Sequence, residues 1–393
     1  NASIINNNNS ISCGTFENKA NAIYNASTSG VSISCSDFTN AGTFNNTNTN
    51  TIAASGNVVI SAFAATLTNN TLTMTGASNT INASVQIGNL QINNGASVSL
   101  LTSALSVGGT LVVGQGISGS LDTNNLDITV TGTTTINAGA TLKLDANTAS
   151  STYTFTGQIT NSGTFQIENG GTTYKATVKG AAGSLRTFSG NDIDILTGKV
   201  VYFDNITYSP ALTLGDTGTR DQAVILSSAC TFGSTITLNG STVAGTYLTT
   251  GAFTLTANNT ITNTKGTITI SASGSIAAGA NSITNGDGTN ASIINNNNSI
   301  NCGAFNNQSN AIYNASSSGA SINCMDFTNA GTFNNTNTNS IFSGGNVVIS
   351  SFGATLTNNT LSMIGSTTIN ASVQIGNLQI NNGASVSLLT SAL

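Results

Sequence analysis

The sequence is poor in charged side chains and contains no histidine and no tryptophan. Only 5% of its 393 residues are charged, against about a quarter in ordinary globular proteins, and Pro210 is its one proline. Without histidine a Ser-His-Asp triad cannot form, and the cysteine spacing matches no zinc motif. The net charge of −5 provides neither the basic surface that nucleic acids need nor the polybasic segment that binds anionic membranes. We therefore expect no nucleic-acid partner, no metal and no cofactor.

Long apolar segments are also missing. No apolar run approaches the ~20 residues of a membrane-spanning helix, so we expect no membrane span in this sequence. A polar composition with little charge can indicate disorder, but here 38% of the residues are hydrophobic and they alternate regularly with Thr and Ser. The sequence therefore predicts a folded chain with a large core.

The dominant feature is a long tandem repeat. Asn290–Ile294 restarts the segment Asn1–Ile5, and near-identity continues to Leu393 with one residue lost near Ser366. The offset between the two copies is about 289 residues. A segment that recurs in this way indicates a tandem array. We divide the chain into 1–105, the first part of the repeat, 106–289, its remainder, and 290–393, the start of the next repeat. We interpret the sequence as part of a longer array.

Short segments alternate between apolar and β-branched polar residues, as in Thr71–Thr75, Thr141–Leu144 and Thr267–Ile270. This period of two predicts half-buried β-strands. Turns of the type Asn-x-Gly-Thr precede several of these segments, and Asn and Gly tolerate the left-handed backbone that such turns need. No segment of ten or more residues has helical apolar spacing, so we predict almost no helix.

The spacing of the strands favours a β-solenoid over a hairpin sandwich. Apolar positions recur every seven or eight residues, and three such steps return after 22–23 residues, as from Phe16 to Phe38. We predict an all-β fold, a right-handed parallel β-helix with three sides, in which each coil stacks on the one before it. At ~4.8 Å per coil, the roughly 13 coils of one repeat would form a rod segment about 60 Å long. The inward positions predicted in one stretch are Phe253, Ile261, Ile268, Ile276 and Ile283.

The cysteines follow the same spacing. Cys13 and Cys35 lie one predicted coil apart in the same Ile-Ser-Cys context, and Cys302 and Cys324 repeat them. Stacked on one ladder, their Cα atoms would lie ~5 Å apart, within disulfide range, and a disulfide would suit an extracellular protein. The alternative, which we favour, is a pair of buried thiols that fill the core as small apolar groups. Cys230 has no predicted partner and is expected to be buried.

Charged residues concentrate between residues 143 and 221, where the turn spacing is less regular. This region is either a protrusion or junction that contacts a partner, or a few ordinary coils with longer solvated loops. Glycan cleavage needs paired carboxylates or a base near a carboxylate. The candidate residues are Asp192 with Asp194, and Asp204 near Lys199 and Arg186. Because these groups are sparse, we expect that the protein is not an enzyme.

The segments Asn161–Phe165 and Gly108–Val113 resemble the coils of large secreted bacterial β-helix proteins, the autotransporter passengers and filamentous-haemagglutinin-like adhesins. The resemblance covers most of the chain and rests on its turn-and-strand pattern. It implies a right-handed parallel β-helix, export to the cell surface, and adhesive or structural use. It transfers no catalytic residue, because none is matched. The long tandem repeat departs from a single passenger and indicates a very long fibre.

Our first hypothesis is a structural module of a long extracellular repeat protein that forms a filament, sheath or surface-layer fibre. Such a module would associate with itself end to end or laterally, and low charge removes the usual protection against such association. The alternative is a cell-surface adhesin whose region 143–221 contacts the cell envelope, a host molecule or a glycan. A polysaccharide-processing enzyme is the third hypothesis. In each case we expect an extracellular or cell-surface location.

Overall fold

The chain is an all-β parallel solenoid, which confirms the fold predicted from the strand spacing. The computed structural model describes residues 3–26, 28–46, 50–62, 70–93, 95–116, 118–180, 186–215, 220–315, 317–335, 339–350, 359–372 and 374–389. No helix occurs among these residues. The chain divides into two compact structural units, unit 1 from Asn1 to Ile195 and unit 2 from Leu196 to Leu393.

Unit 1 contains the first 23 strands. They are β1 Ile4–Asn7, β2 Ser10–Asn18, β3 Ile23–Ala26, β4 Ser32–Asn40, β5 Thr43–Asn46, β6 Asn50–Ala54, β7 Val58–Ile60, β8 Asn70–Met74, β9 Asn79–Ala83, β10 Asn89–Asn93, β11 Ser97–Leu100, β12 Leu105–Val107, β13 Leu111–Gln115, β14 Gly119–Asp122, β15 Ile128–Val130, β16 Thr134–Ile136, β17 Ala140–Ala146, β18 Ser151–Phe155, β19 Ile159–Asn161, β20 Thr164–Asn169, β21 Ala176–Gly180, β22 Arg186–Gly190 and β23 Ile193–Ile195.

Unit 2 contains the remaining strands. They are β24 Lys199–Asp204, β25 Ile206–Tyr208, β26 Leu212–Leu214, β27 Gln222–Leu226, β28 Cys230–Phe232, β29 Ile236–Asn239, β30 Tyr247–Thr249, β31 Thr254–Ala257, β32 Ile261–Lys265, β33 Thr267–Ile270, β34 Ser275–Ala277, β35 Ser282–Asn285, β36 Ser292–Asn296, β37 Ser299–Asn301, β38 Ala304–Asn307, β39 Ala311–Ala315, β40 Ser321–Cys324, β41 Asp326–Asn329, β42 Thr332–Asn335, β43 Asn339–Ser343, β44 Val347–Ile349, β45 Asn359–Met363, β46 Ser366–Ala371, β47 Asn377–Ile380 and β48 Ser385–Leu388.

Three strands make one coil, and each pairs in parallel with the strand at the same place in the next coil. In unit 2, face 1 consists of β24, β27, β30, β33, β36, β39 and β42. Face 2 consists of β25, β28, β31, β34, β37, β40, β43, β45 and β47, and face 3 of β26, β29, β32, β35, β38, β41, β44, β46 and β48. Unit 1 has the same three faces, and its long strands β2 and β4 contribute to both face 2 and face 3. Three faces per coil thus follow from the pairing.

Alternation along each strand separates the core from the surface. On face 3 of unit 2 the inward column reads Leu212, Ile236, Ile261, Ile283, Phe305 and Phe327, and all six side chains are buried. Each such side chain contributes roughly 1.5–3 kcal/mol through removal from water. The prediction for Phe253 was wrong, because it lies half-buried in the turn before β31, and Leu255 takes the inward position. Phe253 in the turn and Leu255 in the strand are both apolar, so the sequence pattern does not show which of the two points inward.

Asn and Gly have defined roles at the turns. Asn21 and its repeat equivalent Asn310 adopt φ values of 67° and 64°, in the left-handed region where asparagine is tolerated. At Gly42 a Cβ atom would lie 2.4 Å from the carbonyl oxygen of Lys19, and the equivalent Gly331 is as tightly confined. These glycines allow successive coils to approach closely at one corner.

Candidate functional site

The boundary between the sequence repeats, at residues 289–290, lies inside unit 2 and interrupts none of its three faces. Across it, β33 pairs with β36, β34 with β37 and β35 with β38, all in parallel. Inward columns also continue on two of the faces. On face 1 Ile268 lies opposite Ile294, and on face 3 Ile283 lies opposite Phe305. The last coil of one repeat is therefore the surface on which the first coil of the next repeat stacks.

A buried asparagine ladder, which we name the boundary ladder, crosses this boundary. Its residues Asn263, Asn285, Asn307 and Asn329 are 0% exposed and lie one coil apart. Each Nδ2 donates to the Oδ1 of the next rung, at 2.9, 2.9 and 2.7 Å. Because a side-chain amide carries both a donor and an acceptor, the same residue can be stacked repeatedly in one direction. The ladder therefore fixes coil register from one repeat into the next.

Backbone contacts tie the boundary ladder to face 1. Asn285 Nδ2 also donates to the Ile312 carbonyl oxygen at 2.9 Å, and Asn307 Nδ2 donates to that of Thr332 at 3.1 Å. Both amide hydrogens are thus used, which removes the large cost of burying an unpaired donor. Asn18 repeats the geometry of Asn307 in unit 1, with bonds of 2.7 and 3.0 Å.

Aromatic rings stack beside the boundary ladder. Phe305 and Phe327 are stacked with ring centroids 5.9 Å apart, and Tyr313 and Phe333 are stacked at 4.3 Å. The two stacks meet edge to face, at 5.5 Å between Phe305 and Tyr313. Offset stacks and edge-to-face pairs are the preferred aromatic geometries and add ~0.5–1.5 kcal/mol per pair beyond area burial.

The first copy of the repeat rebuilds the same cluster in unit 1. Phe16 stacks on Phe38 at 5.4 Å and Tyr24 on Phe44 at 4.4 Å, with edge-to-face contacts between the stacks. An outward ladder of Asn residues is rebuilt as well, with Nδ2 to Oδ1 distances between 2.8 and 3.0 Å. Its rungs are Asn6, Asn25 and Asn45 in unit 1, and Asn295, Asn314 and Asn334 in unit 2. Each repeat therefore carries its own complete set of stacking contacts.

Cys13 and Cys35 are register partners on β2 and β4, and all five cysteines are free thiols in the structure. Cys35, Cys302, Cys324 and Cys230 are buried, whereas Cys13 is half-buried. Burial raises the pKa of Cys35 to about 11 and that of Cys302 to about 12. The register thus places Cys13 and Cys35 side by side on neighbouring coils, and the choice between a disulfide and two thiols stays a prediction that counting thiols tests.

We expect one fast and four slow thiols per folded chain at pH 8. Cys13 is half-buried, so a reagent can reach it, whereas a buried thiol of pKa about 11 is shielded and is only about one part in a thousand thiolate at that pH. An aromatic disulfide reagent should therefore modify Cys13 at least ~100-fold faster than the buried cysteines, and all five after unfolding without reductant. Fewer than five thiols in the unfolded, unreduced protein would instead show that a disulfide is present.

A group of four charged side chains lies on face 3 of unit 1, and all but Asp122 fall in the charge-rich region 143–221 that the sequence indicated, although their contacts were not predicted. Lys143 Nζ on β17 lies 2.9 Å from Glu168 Oε2, 3.2 Å from Asp122 Oδ2 and 3.5 Å from Asp145 Oδ2. Burial alone lowers the pKa of Lys143, but its contacts with these three carboxylates outweigh that effect and raise the pKa above its ordinary 10.5. A lysine held so firmly in its protonated form acts as an ionic clamp across three coils.

Replacing Lys143 by Met should lower the free energy of unfolding of unit 1 by about 1–2 kcal/mol at pH 7. The three carboxylates would lose the counter-charge that Lys143 provides, in a half-buried network. Because the folded-state pKa of Lys143 is raised, wild type keeps this advantage from neutral pH up to ~10.5 and loses it as the pH rises further. Urea denaturation of wild type, Lys143→Met and Lys143→Arg checks this, and the Arg variant should stay close to wild type.

The carboxylates considered for catalysis lie in or beside β23 and β24. Asp192 Oδ1 accepts a hydrogen bond from the Ile193 amide at 2.8 Å, so it caps its own turn. Asp194 lies outward on β23, opposite Gln166 of the preceding coil. Lys199 and Asp204 lie on β24 in unit 2, and the side chain of Arg186 is outside the described residues. Within the part of the chain that the structure describes, no Cys, Asp and Glu cluster is arranged to hold a metal ion.

No protein-family model, no curated protein and no solved structure matches this chain. Among the described residues there is also no helix long and apolar enough to cross a membrane. The parallel β-solenoid is consistent with the β-helix repeat proteins that the sequence resembles.

Proposed function

We propose that this chain is a structural module of a long extracellular repeat protein that forms a filament, sheath or surface-layer fibre. The observation that supports this most directly is the uninterrupted pairing across the repeat boundary, where all three faces and the boundary ladder continue. Because each repeat ends in a coil that accepts the first coil of the next, added repeats lengthen the solenoid without a new joint.

Length against repeat number tests this proposal. Proteins with one, two and three complete repeats should differ by about 60 Å per added repeat, the length of roughly 13 coils at ~4.8 Å. Electron microscopy or small-angle X-ray scattering gives this increment. In native material the proposal requires continuous fibres with a repeat near 60 Å, and compact particles whose largest dimension does not grow with repeat number would contradict it.

A cell-surface adhesin is the second candidate, and the observation in its favour is the charge on face 3 of unit 1. Three carboxylates contact Lys143 there, and we infer that a cationic host molecule could bind at this acidic group. Isolated stalks with a distinct tip in electron micrographs, together with binding lost in Glu168→Gln, would favour the adhesin over the fibre.

We propose no enzymatic activity for this chain. The support for this is that candidate acidic residues are few and that Asp192 Oδ1 already accepts a hydrogen bond from the Ile193 amide, whereas glycan cleavage requires paired carboxylates. Product release from acidic polysaccharides that is abolished in Asp194→Asn would overturn this part of the proposal.

A further inference from the structure

Face 2 of unit 2 is a sheet face without charge. Its nine strands contain no Asp, Glu, Lys or Arg. The charged residues that the structure describes in unit 2 lie on face 1, on face 3 or in turns, and they are Lys199, Asp204, Arg220, Asp221, Lys265, Asp287 and Asp326. Charge is thus segregated away from one whole side of the unit.

Mostly small polar side chains cover this face in two columns set by the strand register, and Phe342 is the one aromatic residue in them. The first column is Thr254, Ser275, Ser299, Ser321, Ser340, Thr360 and Asn377. The second column is Thr207, Thr231, Thr256, Ala277, Asn301, Asn323, Phe342, Ser362 and Gln379. Neighbours bond along the columns, as Thr254 Oγ1 does with Ser275 Oγ at 2.8 Å and Asn323 Nδ2 with Asn301 Oδ1 at 2.9 Å. Some of the polar groups on this face are therefore satisfied by hydrogen bonds within the chain.

We propose that face 2 is the lateral contact of the fibre and that its partner is face 2 of a second copy of this chain. This inference rests on the proposed function, since it names the surface through which filaments associate side by side. Two copies of an uncharged face meet without like-charge repulsion, whereas face 1 or face 3 would bring charged side chains together. A second copy also has the same ~4.8 Å spacing between coils, so small side chains can interdigitate at every rung.

The size of the face sets the strength of the contact. Nine strands at ~4.8 Å span about 38 Å, and three to five residues at ~3.3 Å give a width of about 10–16 Å. Two copies would cover roughly 800–1,200 Å² in total, near the lower limit for a specific interface of ~1,000 Å². One chain should therefore associate weakly, and the association should strengthen steeply as repeats are added, because linked contacts act together.

Charge placed on face 2 tests the proposal. We compare wild type with the double variant Thr256→Lys, Asn323→Lys, whose two sites lie three coils apart in the second column. The matched control is Thr262→Lys, Thr328→Lys, three coils apart on the outward side of face 3. All four positions are half-buried, and both variants add the same charge.

Sedimentation velocity over a concentration series at low salt gives the association midpoint. We expect the face 2 variant to raise the midpoint at least ~10-fold and to recover towards wild type at high salt, while the face 3 variant stays within ~2-fold. Equal shifts in both variants, or wild type that remains a single chain throughout, would overturn the lateral contact. Electron microscopy separates the two proposals, since unbundled single fibres refute only the lateral contact and an absence of fibres refutes the proposed function.

Discussion

Replacing Asn307 by Asp should destabilise unit 2 by about 3–5 kcal/mol at pH 7, the cost of an unpaired buried charge. Asn307 is 0% exposed and donates through Nδ2 to Asn329 Oδ1 and to the Thr332 carbonyl oxygen. A carboxylate at this position cannot donate a hydrogen bond. Its oxygen would instead lie within hydrogen-bond distance of these two acceptor oxygens, with no hydrogen between them. Hydrogen exchange of the β38 and β41 amides, compared between variant and wild type, measures the loss.

The effect of Asn307→Asp should depend on pH in a defined direction. Burial raises the pKa of the introduced carboxyl above its unfolded value of ~3.9, so the protonated form is the one that the fold tolerates. The destabilisation is then smallest below pH ~4 and grows as the pH rises through the folded-state pKa.

Asn306→Asp is the matched control, because it makes the same chemical change on the same strand. Asn306 points outward and is half-buried, so its variant should change the free energy of unfolding by no more than ~0.5 kcal/mol. Comparable losses in the two variants would show that the boundary ladder does not stabilise the coil stack as we describe.

Phe327→Ala should cost about 3–5 kcal/mol, the range for removing a large ring from a packed core. Phe327 is 0% exposed, stacks on Phe305 at 5.9 Å and meets Phe333 edge to face at 5.9 Å. Its loss leaves a cavity that neighbouring coils cannot fill, since their backbones are held by the parallel pairing on both sides. Thermal and urea denaturation of unit 2 should both record the change.

Phe342→Ala provides the comparison for an outward ring. Phe342 lies half-buried on face 2, so truncating it should cost less than ~1 kcal/mol. A loss of the same size at both positions would contradict the assignment of inward and outward columns.

Much of the architecture was predictable because the stacking of coils imposes a regular spacing on the apolar residues of the sequence. A return every 22 residues, from Phe16 to Phe38, is imposed by the stacking of one coil on the next, and the structure places these rings in register. The alternation of apolar and polar residues with period two predicted the strands, because one side of each strand faces the core. The position of Phe253 was missed, since an apolar residue in a turn has the same pattern as one at the start of a strand.

The boundary ladder and the clamp at Lys143 could not be predicted in the same way. Asn263 and Asn285 also lie 22 residues apart, but asparagine is so frequent here that such a pair has no distinct signal, and turn chemistry accounts for most of them. Whether an Asn is a turn residue or a fully buried rung depends on the coil corner that it occupies. The clamp depends on outward neighbours from three coils, and their register is fixed only once the loop lengths between them are known.

The central claim, that one repeat continues the coil stack of the preceding repeat, is tested most directly by spin labels across the repeat boundary. Thr284 and Asn306 are register partners on β35 and β38, one from each repeat, and both point outward. With the native cysteines replaced by Ala and labels attached at Thr284→Cys and Asn306→Cys, parallel stacking places the two backbones about 5 Å apart. We predict strong spin–spin broadening for this pair and clearly weaker broadening for Thr284→Cys with Thr328→Cys, two coils away. Spectra from the first pair that match the sum of the two single-label spectra would contradict the account.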